Sequence, residues 1–352
     1  MKKRFLLVLF IVTLAFSLTT CGDNTGTPAE LYIHFLELGN RYTGDSIYIN
    51  YGEIDILIDA GSKQSSATTI IEYIDNYIQD KKIEYVIATH AHEDHIAGFY
   101  STNYVTGILD YYDIGMIIDF PKTNSNTATY NHYLEARTGA VERGAVHYTA
   151  LQCYNNEDGA KRIYDLGGGV KLEILYNYYY ENHADGENNY SVCVRITQNG
   201  KQYLFTGDLE TPGEESLVDY YAANYGGLGH FTLYKGGHHG SYTSSSEKLM
   251  AAITPEYVIV CSCVGTSEYS NVLSNRFPSQ AFINRVAPYT DNVYMTTIVT
   301  DYDNSEYESF NGNIIFSVSP NGSVNITCSH NSHKLKDSEW FLENRTMPDA
   351  WK

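Results

Sequence analysis

Residues 88–99 read ATHAHEDHIAGF and place His90, His92, Asp94 and His95 within six positions. Imidazole nitrogens suit zinc and similar borderline-soft metals, and a carboxylate completes such a site. Side chains on a strand repeat every two residues, so His90 and His92 at a strand end project to one side and can share an ion. Beyond a turn, Asp94 and His95 face a neighbouring position. The chain has 12 histidines in 352 residues. Three of them beside an acid in so short a stretch point to a metal site over a solvated polar loop. A dinuclear centre needs more donors than these. Further candidates close other apolar runs: Asp59 in IDILIDAGS, Asp208 in YLFTGD, and His238 and His239 after FTLYKGG.

The elements that must position these residues follow from hydropathy patterning. LYIHFLEL (31–38), DSIYIN (45–50) and IDILIDAGS (54–62) alternate or run apolar and predict strands. Ile70, Ile71, Ile74, Tyr77 and Ile78 recur at helical spacing and predict a helix over 65–80, capped by Ser65 or Ser66. IEYVIATH (83–90) reads as a buried strand, so the histidine motif sits where a strand leaves a sheet, a usual place for sites in α/β folds. Residues 104–165 are less regular, with a strand at 114–120 and a helix over 129–144. Strands return at 170–179 and across 190–208, the latter broken by the hairpin signal Asn199-Gly200. Thr211-Pro212-Gly213-Glu214 has the form of a capping box and opens a helix towards Gly226. FTLYKGGHHGS (231–241) is a strand running into a Gly/His turn, and Ser244–Glu247 cap a helix that stops before Pro255. A strand over 257–264 and a hairpin over 313–327, turning at Asn321-Gly322, complete the pattern. The polar tail over 331–352, with Trp340 and Trp351, is expected to pack on the surface. No repeat or second linker interrupts residues 30–330, which predicts one α/β domain with more than one sheet.

The N-terminus, MKKRFLLVLFIVTLAFSLTTCG, joins three basic residues to an apolar run too short for a comfortable membrane span. It predicts a signal peptide over 1–20, and the following Cys21 resembles the lipidation site of a bacterial lipoprotein. Residues 21–29 then form a polar linker. The expected location is extracellular, either anchored through that lipid or secreted. With Cys21 set aside, Cys153, Cys193, Cys261, Cys263 and Cys328 remain, an odd number and no disulfide framework. The formal charge is -19, and loss of residues 1–20 brings it to about -22. Nucleic-acid binding is dominated by phosphate contacts with Lys and Arg. No such cluster follows residue 4, so long nucleic acid is a disfavoured partner. The tyrosine-rich YNYYYEN (176–182) reads as an edge strand and loop.

These motifs together resemble the metallo-β-lactamase fold superfamily, in its competence-protein ComEC-like and phosphorylcholine esterase-like branch. The resemblance rests on HFLELG…GDSIYI, ILIDAGS, ATHAHEDHIAG, ENNYSVCVRI, FTGDLE, KGGHHGS and NGSVNIT, in family order over roughly residues 30–328. It implies an αββα sandwich of two mixed sheets flanked by helices. It also implies that His90 and His92 bind a first metal and Asp94 and His95 a second. Asp208 would bridge both, His238 would complete the second site, and Asp59 would orient ligands. His239 is either a supporting group or a proton donor. Many relatives supply a further histidine to the first metal just before YSVCV, where this chain has Glu187 and Asn188. His183, Asn188 or water takes that position. The turn GNRYTGDS is a few residues longer than its counterpart, with Asp45 and Ser46 matching its end.

Two zinc ions are the implied cofactors, with manganese or iron as alternatives. Two divalent ions about 3.5–4 Å apart can share a hydroxide nucleophile and lower the pKa of its parent water. The expected activity is a phosphodiesterase acting on small phosphodiesters, cell-wall head groups or nucleic acid, with Asp94, His239 and Asn188 in the catalytic set. The alternatives are a carboxyl-ester, lactone or lactam hydrolase, or a surface binding protein on the same fold.

Overall fold

Runs of β-branched and aromatic residues build two eight-stranded sheets. The first half of the chain contributes β1 (Leu31–Phe35), β2 (Ile47–Tyr51), β3 (Ile54–Ile58), β4 (Lys82–Ala88), β5 (Asp113–Asp119) and β6 (Val146–Thr149). The second half contributes β7 (Ile163–Gly167), β8 (Val170–Leu175), β9 (Cys193–Gln198), β10 (Lys201–Phe205), β11 (Leu233–Lys235), β12 (Tyr257–Val264), β13 (Val293–Asp301) and β14 (Glu306–Ser309). A closing hairpin, β15 (Ile314–Val318) and β16 (Val324–Cys328), returns to the first sheet, whose order is β16-β15-β1-β2-β3-β4-β5-β6. The second sheet runs β14-β13-β12-β11-β10-β9-β8-β7. Both are mixed: β3 to β6 and β10 to β13 pair in parallel, and their other neighbours are antiparallel. The computed structural model describes residues 29–352 apart from 267–271, 302, 303 and 305. The expected signal peptide, Cys21 and residues 22–28 of the linker lie outside the described residues. Among the described residues no helix is long and apolar enough to cross a membrane.

Strand alternation divides the core. Tyr203, Phe205, Ile259 and Cys261 point between the sheets, where Phe35 stacks on Phe205 and Phe316 meets Tyr203. Their neighbours Leu204, Val258 and Val260 point outward, under helices Thr211–Tyr225, Glu247–Ile253 and Gln280–Val286. Burial of each such aliphatic side chain is worth about 1.5–3 kcal/mol. Helices Ser66–Ile74 and Ala128–Glu142 connect parallel strands of the first sheet. The expected αββα sandwich of two mixed sheets flanked by helices is therefore the fold.

Several local expectations differ from the structure. The strand before the histidine motif ends at Ala88, so His90 and His92 leave from a loop and His92 precedes the short helix Glu93–Ile96. Ser65 does precede its helix but makes no capping hydrogen bond, and Ser66 lies inside it. Thr211–Glu214 is not a capping box. The helix starts after Glu210, Thr211 donates to the Thr243 carbonyl, and buried Glu214 instead accepts the Ser245 and Ser246 amides. The Asn199-Gly200 hairpin forms, with both residues at positive φ. Residues 176–182 are a loop after β8, with a single turn Tyr178–Tyr180 whose Tyr180 is buried. The tail does not stay on the surface: Leu335, Phe341 and Trp351 are buried in the outer core of the second sheet.

Candidate metal centre

Two parallel strand pairs, β3–β4 of the first sheet and β10–β11 of the second, end at one place. Asp59 follows β3, the histidine motif follows β4, Asp208 follows β10, and His239 follows β11. Gly207 lets Asp208 enter. Its φ is +53°, and a Cβ there would meet Ser191 Oγ and Thr89 Cβ at 2.9 Å. Asp59 also holds a positive φ of 60°, which Asp tolerates better than most residues.

Each imidazole that faces the centre is held from behind. Asp59 accepts from Thr89 N at 2.8 Å and from Thr89 Oγ1 at 2.7 Å, and its Oδ2 lies 2.7 Å from His95 Nδ1. His95 Nε2 then faces Asp208 Oδ2 at 3.0 Å. His239 Nδ1 lies 2.9 Å from the Cys261 carbonyl and 3.2 Å from Asp45 Oδ1. Its Nε2 reaches Asp208 Oδ2 at 3.1 Å and Asp94 Oδ2 at 3.2 Å. Asp94, His95, Asp208 and His239 thus bring ligand atoms within 4.8 Å of one another. Beside them, His90 Nε2 and His92 Nδ1 stand 3.1 Å apart, with His90 Nδ1 3.1 Å from Thr89 Oγ1.

The donor chemistry fits a divalent ion. Two imidazole nitrogens and two carboxylates converge, and each imidazole's other nitrogen already has an acceptor to fix its orientation, as metal-binding histidines require. Electrostatics point the same way. Burial disfavours charge on His95, yet Asp208, Asp59 and Asp94 raise its pKa well above the usual value. Burial likewise opposes charge on His239, but Asp208 and Asp45 raise it strongly. Burial works against ionised Asp208, but His239, His95 and Lys235 hold its carboxyl well below the usual range. The cluster demands positive charge, and a metal ion meets that demand by replacing protons. His90 differs: burial and the neighbouring His95 and His92 lower its pKa and favour the neutral imidazole.

The structure brings some of the expected residues together and leaves others apart. His239, not His238, joins Asp94, His95 and Asp208. The adjacent positive φ values of 43° and 53° at His238 and His239 turn the two rings apart. His238 Nε2 stops 3.8 Å from Asp208 Oδ2, and its Nδ1 lies 2.9 Å from Thr243 Oγ1. His183 does not reach the centre. Its side chain is 74% exposed, and its ring nitrogens lie near Tyr190 Oη and Asp185. Glu187 is a scaffold: its carboxylate accepts from Ala91 N, Thr123 Oγ1 and Asn124 N. Asn188 does lie at the centre's wall. Its Nδ2 donates to Glu210 Oε1 at 3.3 Å and sits 3.5 Å from His238 Nδ1, while its buried Oδ1 has no hydrogen-bond partner among the described residues. Sequence reasoning missed Asp45 as a site residue and Lys235 altogether, although a lysine inside the apolar run FTLYKGG was itself a signal.

Residues 39–101 match the family model described as the metallo-beta-lactamase superfamily. The chain is 26% identical over 246 residues to competence protein ComA of Neisseria gonorrhoeae, covering 69% of this chain and 28% of that protein. It is 35% identical over 95 residues to recombination protein 2 of Haemophilus influenzae, covering 27% of this chain and 11% of that protein. The chain therefore spans less than a third of the length of these relatives. Among solved structures, it is similar to the metallo-beta-lactamase fold protein YhfI of Bacillus subtilis, with a TM-score of 0.44, 9% identity and coverage of 82% and 99% of the two chains. It is also similar to a Cronobacter sakazakii metallo-beta-lactamase, with a TM-score of 0.30, 20% identity and coverage of 51% and 61%.

Proposed function

We propose that this chain, which carries a metallo-β-lactamase superfamily domain, is a metal-dependent hydrolase that cleaves phosphodiester bonds in small substrates. The observation that carries the reading is the convergence of Asp94, His95, Asp208 and His239, with both imidazoles oriented from behind. These four residues, with His90 and His92 as further donors, would hold divalent ions, whose chemistry there would be Lewis acidity towards substrate and water.

The chain's own groups do the rest. Asp59 fixes the imidazole of His95, and the Cys261 carbonyl, with the Asp45 carboxylate beside it, fixes that of His239. Asn188 and His238 form the wall beside Asp208, where the buried Asn188 Oδ1 offers an acceptor to a hydroxyl or N–H group of a substrate. His238 Nδ1 lies 2.9 Å from Thr243 Oγ1, and its Nε2 is on the side of Asp208. As an imidazolium, His238 would give its Nε2 proton to the departing alkoxide and return to the neutral ring.

The relatives are named for competence and recombination, which supports a phosphodiester of nucleic-acid type among the candidates. The formal charge of -19 favours short or small substrates over long duplexes. Residues 1–21 support an exported, lipid-anchored protein acting on substrates outside the membrane. The test is a substrate panel with purified protein and added zinc or manganese: bis(p-nitrophenyl) phosphate, a short oligonucleotide, a carboxyl ester and a β-lactam. Phosphodiester turnover that disappears in His92→Ala/Asp208→Ala is the expected result. Turnover confined to the carboxyl ester or lactam, or undiminished in the double variant, overturns the reading.

A further inference from the structure

Lys235 is a lysine with 1% exposure at the end of β11, behind the centre. Charged side chains are almost never so buried unless paired. Its ammonium ion-pairs with Asp45, donates to the Gly207 carbonyl at 3.0 Å and lies 3.3 Å from Asp208 Oδ1. The two oxygens of Asp208 are thereby divided. Oδ1 belongs to Lys235, while Oδ2 alone faces His95 at 3.0 Å and His239 at 3.1 Å. Asp45 is divided in the same manner, with Oδ2 on Lys235 and Oδ1 3.2 Å from His239 Nδ1. The pair therefore touches two donors at once, one from each side.

We infer that the buried Lys235–Asp45 pair positions the metal centre, holding Asp208 so that only Oδ2 is presented to the ion, with the Asp45 carboxylate placed beside the His239 ring. Lys235 does not touch substrate; it acts through Asp208. Without it, Asp208 can rotate and offer either or both oxygens, so geometry and affinity both change. Asp45 lies in the turn before β2 of the first sheet and Lys235 in the second sheet. The same pair thus sets the distance between the halves that supply the ligands.

The inference rests on the metal-centre reading but not on the choice of phosphodiester. Removal of one member alone leaves a buried charge without its partner and is strongly destabilising, whereas removal of both avoids that penalty. The informative protein is therefore Lys235→Met/Asp45→Asn, compared with Lys235→Met alone and the wild type. Cobalt(II) and zinc(II) binding isotherms and the cobalt visible absorption spectrum are read, with melting temperature as the folding control. A melt restored in the double variant, with metal binding weaker by about ten- to a hundredfold and an altered cobalt spectrum, is expected. Binding and spectrum equal to wild type in a folded double variant would reduce the pair to a structural ion pair and overturn the inference. A crystal structure of the metal-loaded wild type gives an independent check. Asp208 Oδ2 bound to metal with Lys235 still on Oδ1 supports the inference, and chelation by both oxygens sinks it. A wild type that binds no metal fails at the earlier reading instead.

Discussion

His239 Nε2 lies 3.1 Å from Asp208 Oδ2, while the preceding residue, His238, keeps its Nε2 3.8 Å from the same oxygen. Two adjacent imidazoles therefore have different work. His239→Ala should lose bound metal. His238→Ala should keep its metal and lose turnover by roughly 10²–10⁴-fold, the range for a general acid. Metal content by mass spectrometry, read beside kcat, separates the two. Metal loss in His238→Ala with retention in His239→Ala would reverse the assignment.

Asp59 orients His95 without facing the centre. Asp59→Asn should weaken metal binding by about ten- to a hundredfold, measured by competition with a chromophoric chelator. Affinity equal to wild type would show that Thr89 and Asp208 suffice to hold His95.

Chelation should lower the melting temperature, because ions that bind only the folded chain stabilise it by mass action. Dialysis against EDTA followed by calorimetry checks this, and zinc or manganese should restore the melt. An unchanged melt would mean that the folded chain gains nothing from the ion.

His183→Ala should leave metal stoichiometry and kcat within about twofold, since the side chain is exposed and its ring nitrogens face Tyr190 and Asp185. Asn188→Ala should instead raise KM about three- to tenfold, the worth of one ordinary hydrogen bond. Steady-state kinetics on the best phosphodiester decide both.

Glu214 gives a pH dependence separate from the centre. Burial pushes its carboxyl up to about 7, against the lowering effect of the Ser246 and Ser245 amides. A raised acid binds its proton more tightly in the folded than in the unfolded chain. Its contribution is thus fully present below pH 4.5, the unfolded value, and is lost as pH rises through about 7. The loss is on the order of 3 kcal/mol. Denaturant unfolding at pH 5 and pH 8 should show this fall in the wild type and a smaller one in Glu214→Gln. Equal falls in both proteins would exclude Glu214 as the source.

The sequence showed the histidine motif clearly because its donors are local and their residue types have few other uses in such density. Asp59 and Asp208 were legible for a related reason: an acid closing an apolar run stands at a sheet edge. The choice between His238 and His239 was not legible. Neighbours in sequence differ here through two left-handed backbone angles, which no strand or helix period anticipates. Asp45 and Lys235 lie 190 positions apart in number and meet only when the sheets stack. The tail was misjudged because Leu335, Phe341 and Trp351 are isolated apolar residues without a repeat, buried by a tertiary surface and not by their own periodicity.

Gly207, with no room for a side chain, carries a consequence for how the protein is made. Asp94 and His239 are separated by 145 positions, and Asp208 comes between them only after β10 has docked. A chain emerging from its N-terminus presents four donors early, without the partners that orient them. The oriented set of donors exists only once the second sheet has closed over the first, so the centre is a property of the completed fold.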